Sequence, residues 1–223
     1  MKEFNLRMKY EHILIDLDGT ITDSFPGIAA SFAYALEKFG IHVSDVSQLR
    51  RCVGPPIIES FMTFYGMDEA HANDAVAKYR EYYTDRGIFE NSVYAGVPEM
   101  LRELHESGLK TYLATSKPRP FAERIISHFG LDGYFTFISG SEFDGTRSEK
   151  YQVIAYLLTR FAIPHENALM VGDRMHDVDG ANQCMIDCAS VLYGYGTRNE
   201  LLEHGAKYIC ETPADLTRLI TNK

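Results

Sequence analysis

No stretch of the 223 residues is long and apolar enough to cross a bilayer, so no membrane-spanning helix is expected. Cysteine is scarce. Cys52, Cys184, Cys188 and Cys210 form no Cys-x-x-Cys pair, so neither a zinc ribbon nor a redox motif is indicated. Cys184 and Cys188, read as one helix face at a four-residue spacing, are expected to pack as small buried thiols. Positive charge is in deficit. Lys and Arg number 22 against 31 Asp and Glu, a net charge of −9, so the basic footprint of a general nucleic-acid binder is missing. A small anionic substrate in a local positive pocket is not excluded. Met1–Tyr10 carries Lys2, Glu3, Arg7 and Lys9 and no apolar signal core. Internal repeats and low-complexity linkers are absent. A cytoplasmic protein is expected, without nucleic-acid or membrane partners, as a monomer or small homo-oligomer.

Hydrophobic residues make up 45% and charged residues 24%, which suits an ordinary globular chain of one domain, or of one domain with an insertion. Short apolar strands are expected at His12–Leu17, Thr111–Thr115, Phe135–Ser139, Ala168–Gly172, Ala189–Tyr193 and Lys207–Cys210. Helical periodicity lies between most of them, at Pro98–Ser107, Arg119–Phe129, Lys150–Phe161 and Asp177–Met185. Apolar strands alternating with amphipathic helices predict an α/β fold: a Rossmann-like, mostly parallel sheet with helices on both faces. From about Asp23 to Glu90 the rhythm changes. Helical segments at Pro26–Phe39, Pro56–Tyr65 and Asp68–Arg86 predict an all-helical cap over 23–90, inserted into a core of 1–22 and 91–223. A sheet of this kind binds ligands beyond the carboxyl ends of its strands, so the insertion is expected to form a lid.

The chemistry concentrates at strand ends. In Ile13-Leu14-Ile15-Asp16-Leu17-Asp18-Gly19-Thr20, strand alternation sends Asp16 and Asp18 to one side. Two close carboxylates repel. Either a cation sits between them, or one attacks while the other moves a proton. A strand end capped by two solvated Asp in an Asp-Gly turn is the plainer alternative. The second strand ends in Thr115-Ser116-Lys117-Pro118. There the Thr115 and Ser116 hydroxyls and free backbone amides suit a phosphate oxygen, or simply cap a helix. Lys150 opens a helix, where a lone Lys is usually solvated. Ala168–Val171 runs into Gly172-Asp173-Arg174-Met175-His176-Asp177, a second acidic strand end. Taken together, two acidic strand ends predict a hard cation, Mg²⁺ by default where phosphate is present, and the whole set is equipment for moving a phosphoryl group.

The order of these pieces resembles the haloacid dehalogenase-like hydrolase superfamily, from about Tyr10 to Glu211, and most of all its phosphoglycolate-phosphatase-like branch. Asp16-Leu17-Asp18-Gly19-Thr20, Thr115, Lys150 and Gly172-Asp173 with Asp177 match its four signatures. Tyr151 stands where many relatives have Pro after the Lys. The resemblance implies that Asp16 attacks phosphorus and that Asp18 protonates the leaving oxygen, then activates water. Members that break carbon–halogen bonds lack the second acid, so Asp18 argues for phosphate chemistry. The resemblance further implies Mg²⁺ held by Asp16, the Asp18 carbonyl, Asp173 and Asp177, with Thr115 and Lys150 on the phosphoryl oxygens.

Other residues carry weaker signals. His176 is read as a partly exposed helix-start His or as a residue orienting a metal ligand. Arg50, Arg51 and Arg147 are candidates for substrate specificity, because a guanidinium recognises a second anion, although surface Arg is the commoner state. Arg80 and Arg119 are read as surface residues, and Tyr82 and Tyr83 as cap packing. The expected function is a Mg²⁺-dependent phosphatase of small phosphorylated metabolites acting through an aspartyl-phosphate, with phosphoglycolate placed first by the resemblance alone. The alternatives are a β-phosphoglucomutase-like phosphomutase, a 5′-nucleotidase, a pyrophosphatase, or a catalytically idle binding protein.

Overall fold

The computed structural model describes residues 9–222. The reading of Met1–Tyr10 therefore falls almost entirely outside the described residues. The elements run β1 (His12–Ile15), β2 (Thr22–Asp23), α1 (Phe25–Lys38), α2 (Ile57–Tyr65), α3 (Glu69–Tyr83), β3 (Ser92–Val93), α4 (Val97–Glu106) and β4 (Lys110–Pro118). They continue with α5 (Arg119–His128), β5 (Phe137–Ser141), α6 (Lys150–Arg160), β6 (Ala168–Gly172), α7 (Met175–Gln183), β7 (Asp187–Val191), α8 (Arg198–Glu203), β8 (Tyr208–Cys210) and α9 (Pro213–Thr221). The chain forms two compact units, Thr22–Ser92 and the remainder.

The larger unit is built on a six-stranded sheet in the order β5-β4-β1-β6-β7-β8, and every pairing is parallel. The Rossmann-like α/β expectation holds, because parallel neighbours require helical crossovers. Leu14, Tyr112, Ala114 and Met170 pack on one face against Val153, Ile154 and Leu157 of α6 and Val178 and Ala181 of α7. Their strand neighbours Ile13, Ile15, Leu113, Leu169 and Val171 alternate to the other face and are equally buried. Removing each such side chain from water contributes about 1.5–3 kcal/mol. From β1 the chain goes out to β4 and β5, then returns to β6 on the opposite side of β1. That reversal opens a crevice at the carboxyl end of β1.

Several boundaries differ from expectation. β4 runs three residues past Thr115, to Pro118, and α7 starts at Met175 instead of Asp177. Cys184 and Cys188 do not share a helix face, since Cys184 follows α7 and Cys188 lies in β7. All four cysteines are nevertheless free and buried. In the smaller unit, Phe32, Phe61 and Tyr79 form the aromatic core, with Phe32 4.8 Å from Phe61 and 5.1 Å from Tyr79 between ring centroids. Tyr83 is buried there, and Tyr82 is half-buried, with its ring 5.6 Å from that of Tyr34 and its hydroxyl donating to Glu90. A 3₁₀ segment at Val46–Cys52 carries Arg50, whose guanidinium lies over Phe25, and Arg51, which lies over Phe64.

Candidate active site

The register of the sheet assembles the site. Ile15 pairs with Leu113 on one side and Val171 on the other, and the Asp16 amide extends the ladder with a 2.9 Å bond to the Val171 carbonyl. Asp16 thus leaves β1 between the ends of β4 and β6. The chain then turns, with the Thr20 and Ile21 amides donating to the Leu17 carbonyl. Gly19 sits at φ +87°, and a Cβ there would lie 2.2 Å from Asp173 Oδ2. Both the left-handed backbone and the close approach require glycine.

Asp16, Asp173 and Asp177 place carboxylate oxygens within 4.8 Å of one another. Asp173 and Asp177 are 0% and 1% exposed, and Asp16 8%. Lys150, the first residue of α6, reaches into this group. Its Nζ lies 2.7 Å from Asp16 Oδ1 and 2.9 Å from Asp177 Oδ1, and donates to the Ala114 carbonyl at 2.9 Å. Lys150 is 6% exposed, so it is not the solvated lysine of the plainer reading. A capping box between Glu149 and Gln152 fixes the helix start that aims it. The Arg174 amide donates to Asp177 Oδ2, and the Tyr195 amide to Asp173 Oδ2 at 2.7 Å.

Burial dominates the electrostatics. It pushes the Asp16 carboxyl up to about 7; Lys150 opposes the rise, and the neighbouring Asp177 and Asp18 charges add to it. Burial also holds Asp173 well above the usual carboxylate range, helped by Asp177 and Asp16. Desolvation works against the Lys150 charge, but Asp16 and Asp177 outweigh it and raise the ammonium above its ordinary value.

Asp18 is paired with Lys117, whose Nζ lies 2.7 Å from Asp18 Oδ1. The Thr115 hydroxyl is buried three residues before the end of β4 and accepts from the Lys117 amide at 3.1 Å. Ser116 is half-buried, and its carbonyl accepts from Ser141. His176 is half-buried, its Nε2 has no partner, and burial lowers its pKa. Arg147 is not gathered with the carboxylates. It pairs with Glu142 and lies 4.5 Å over the Tyr156 ring. Arg50 and Arg51 belong to the smaller unit.

Two features escaped the sequence. Strand alternation beyond Thr115 puts Lys117 on the same side, but the expected strand stopped too soon. The Tyr193–Gly196 loop after β7 had no assigned role. It wraps Asp173: Tyr193 Oη donates to the Thr20 carbonyl at 3.1 Å, and a Cβ on Gly194 would lie 2.3 Å from the Gly19 carbonyl and 2.5 Å from Asp173 Cβ.

The central strands of this parallel sheet end in buried carboxylates bridged by one lysine. The profile of the haloacid dehalogenase-like hydrolases matches residues 13–191, and the chain belongs to that family. The chain is 43% identical over 213 residues to a 5′-nucleotidase of Pseudomonas aeruginosa, with 96% of each sequence covered. It is 41% identical over 184 residues to the tyrosine-protein kinase PtkA of Mycobacterium tuberculosis, covering 82% of this chain and spanning 62% of that relative's length. A crystal structure of a predicted phosphatase from Clostridium acetobutylicum superposes with a TM-score of 0.93 at 42% identity, covering 96% of this chain and 99% of that one. Family and relatives together make this chain an enzyme of the phosphatase kind, a phosphoric monoester hydrolase.

Proposed function

We propose that the chain is a Mg²⁺-dependent phosphatase of small phosphorylated metabolites that works through an aspartyl-phosphate on Asp16. The observation that carries this reading is the buried trio Asp16, Asp173 and Asp177 bridged by Lys150. The donor set fits a hard divalent cation, because Asp16, Asp173 and Asp177 each offer a carboxylate oxygen. Electrostatics agrees: three carboxyl groups are gathered around the single Lys150 ammonium, so a divalent cation would relieve their mutual repulsion. The cation would be held by Asp16, the Asp18 carbonyl, Asp173 and Asp177. When bound it supplies positive charge to the phosphoryl oxygens.

In this reading Asp16 attacks phosphorus, while Asp18 gives its proton to the departing ester oxygen. Asp18 then takes a proton from the water that cleaves the aspartyl-phosphate. Lys150 and Thr115 hold phosphoryl oxygens, with Ser116 alongside. Segment 23–90 acts as the cap that excludes water, and Arg50 and Arg51 on it take part in substrate choice. The 43% identity to a 5′-nucleotidase, against 26–28% to phosphoglycolate phosphatases, supports placing nucleoside 5′-monophosphates ahead of the phosphoglycolate expected from the sequence.

The test is phosphate release from nucleoside monophosphates, phosphoglycolate, sugar phosphates and pyrophosphate, with Mg²⁺ and with chelator. Release that needs Mg²⁺ and disappears in Asp16→Asn supports the reading. No release from any ester, or more than a few per cent of the wild-type rate in Asp16→Asn, refutes it. The 41% identity to PtkA favours one second reading, in which a protein tyrosine hydroxyl replaces water as acceptor. Phosphotyrosine formed from labelled ATP, without bulk phosphate release, would select it.

A further inference from the structure

The turn that follows Thr115 is built around one side chain that the proposed chemistry leaves without a task. Lys117 Nζ lies 2.7 Å from Asp18 Oδ1, and the two side chains are 7% and 16% exposed. The pair is therefore largely shielded from water, where a charge-assisted contact fixes orientation more firmly than at the surface. Its backbone is held in place too. The Lys117 amide donates to the Thr115 hydroxyl at 3.1 Å, and the β4–β5 register shifts between Ala114 and Pro118. Irregularities of this kind re-aim side chains. Gly140 on β5 completes the fit, because a Cβ there would lie 2.4 Å from the Lys117 carbonyl. An exposed surface lysine needs none of this.

We propose that Lys117 is a positioning residue for Asp18: it holds one carboxylate oxygen so that the other carries the transferred proton to the leaving group. The inference rests on the phosphatase reading above. In the first step the Asp16–phosphorus bond forms and the phosphorus–ester oxygen bond breaks. The Asp18 proton passes to that oxygen, and the alcohol leaves neutral. Asp18 is left as a carboxylate, and the Lys117 ammonium is already beside it. In the second step the water oxygen bonds to phosphorus, the Asp16–phosphorus bond breaks, and the water proton returns to Asp18. Lys117 never gains or loses a proton. Its effect on the proton transfer passes through Asp18.

Leaving-group dependence tests this role. An alkyl alcohol is a poor leaving group and needs the proton, whereas 4-nitrophenolate leaves nearly unaided. We would measure kcat and kcat/KM of the wild type, Lys117→Met and Lys117→Arg with 4-nitrophenyl phosphate and with a primary alkyl phosphate that the wild type accepts. The ratio of the two kcat/KM values does not depend on the fraction of folded protein. General acid catalysis contributes about 10²–10⁴-fold. The ratio of aryl to alkyl kcat/KM should therefore rise at least about tenfold in Lys117→Met, with most of the change in kcat, and fall back towards wild type in Lys117→Arg. An equal loss for both esters, or a change confined to KM, overturns the assignment while the phosphatase reading stands. A wild type that hydrolyses neither ester with Mg²⁺ overturns both.

Discussion

Replacing Lys150 with methionine removes a buried ammonium and keeps most of its volume. Lys150 Nζ has Asp16 and Asp177 at 2.7 and 2.9 Å and the Ala114 carbonyl at 2.9 Å, all in a setting that is about 5% exposed on the lysine side. Breaking a buried ion pair by removing one partner typically costs about 3–5 kcal/mol. For a chain of this size each kcal/mol lowers Tm by about 2–4 °C, so metal-free Lys150→Met should melt about 10 °C below the wild type at pH 8. The gap should shrink towards pH 5, where the Asp16 carboxyl, pushed up to about 7, takes up a proton and no longer needs the ammonium. Saturating Mg²⁺ should also narrow it, by offsetting the same charge. Hydrolysis should fall about 10²–10³-fold, the usual loss when a donor to phosphoryl or acyl oxygens is removed. Calorimetry at both pH values, with chelator and with Mg²⁺, reads the effect. A gap below about 3 °C that does not change with pH would refute the claim that Lys150 neutralises this site.

Further outcomes follow from the same geometry. The Asp16 carboxyl, raised from 3.8 to about 7, stays protonated longer in the folded chain than in the unfolded one. Across that window the unfolded state binds fewer protons, so stability falls as pH rises from about 4 to about 7 in chelator. His12 and His176, both held below their ordinary values, act in the opposite direction below pH 6.5 and cancel in the difference between wild type and Asp16→Asn. That difference should drift against the wild type by up to about 4 kcal/mol. A flat difference curve would refute the burial argument. Gly194→Ala should weaken Mg²⁺ binding at least about tenfold by calorimetry, since second-sphere changes commonly cost about 10–100-fold and the new Cβ collides with Asp173. Unchanged affinity would mean that the loop does not fix Asp173.

Much of the site was legible because its signals are local. Asp16-Leu17-Asp18-Gly19 and Gly172-Asp173 each need only strand alternation and a turn to be read. Lys117 was lost because its place depends on the register shift that lengthens β4, which is a property of the pairing with β5 and not of the segment. The Tyr193–Gly196 loop was opaque because its glycines answer to Asp173 and Gly19, which arrive from other strands. α8 and α9 were overlooked although Thr197 and Thr212 cap them, the latter in a capping box with Asp215. α8, six residues long, is too short for apolar periodicity to stand out, whereas α9 is as long as α2 and α7 and its cap was there to be read. β2 and β3, two residues each, left no periodic trace for the same reason.

The amino-acid sequence by itself determined the alternation of apolar strands and helices, the helical stretch after the first strand, and the acidic residues at strand ends, because each depends on neighbours a few positions away. The tertiary structure decided which charges meet. Lys150 is a solvated residue by composition and becomes a buried counter-ion only when α6 starts beside the end of β1. Arg147 lies three residues away on the chain and is turned to Glu142 and Tyr156 instead. Charge pairing in a low-dielectric crevice depends on distances between segments remote in sequence, and only the packed sheet sets those distances.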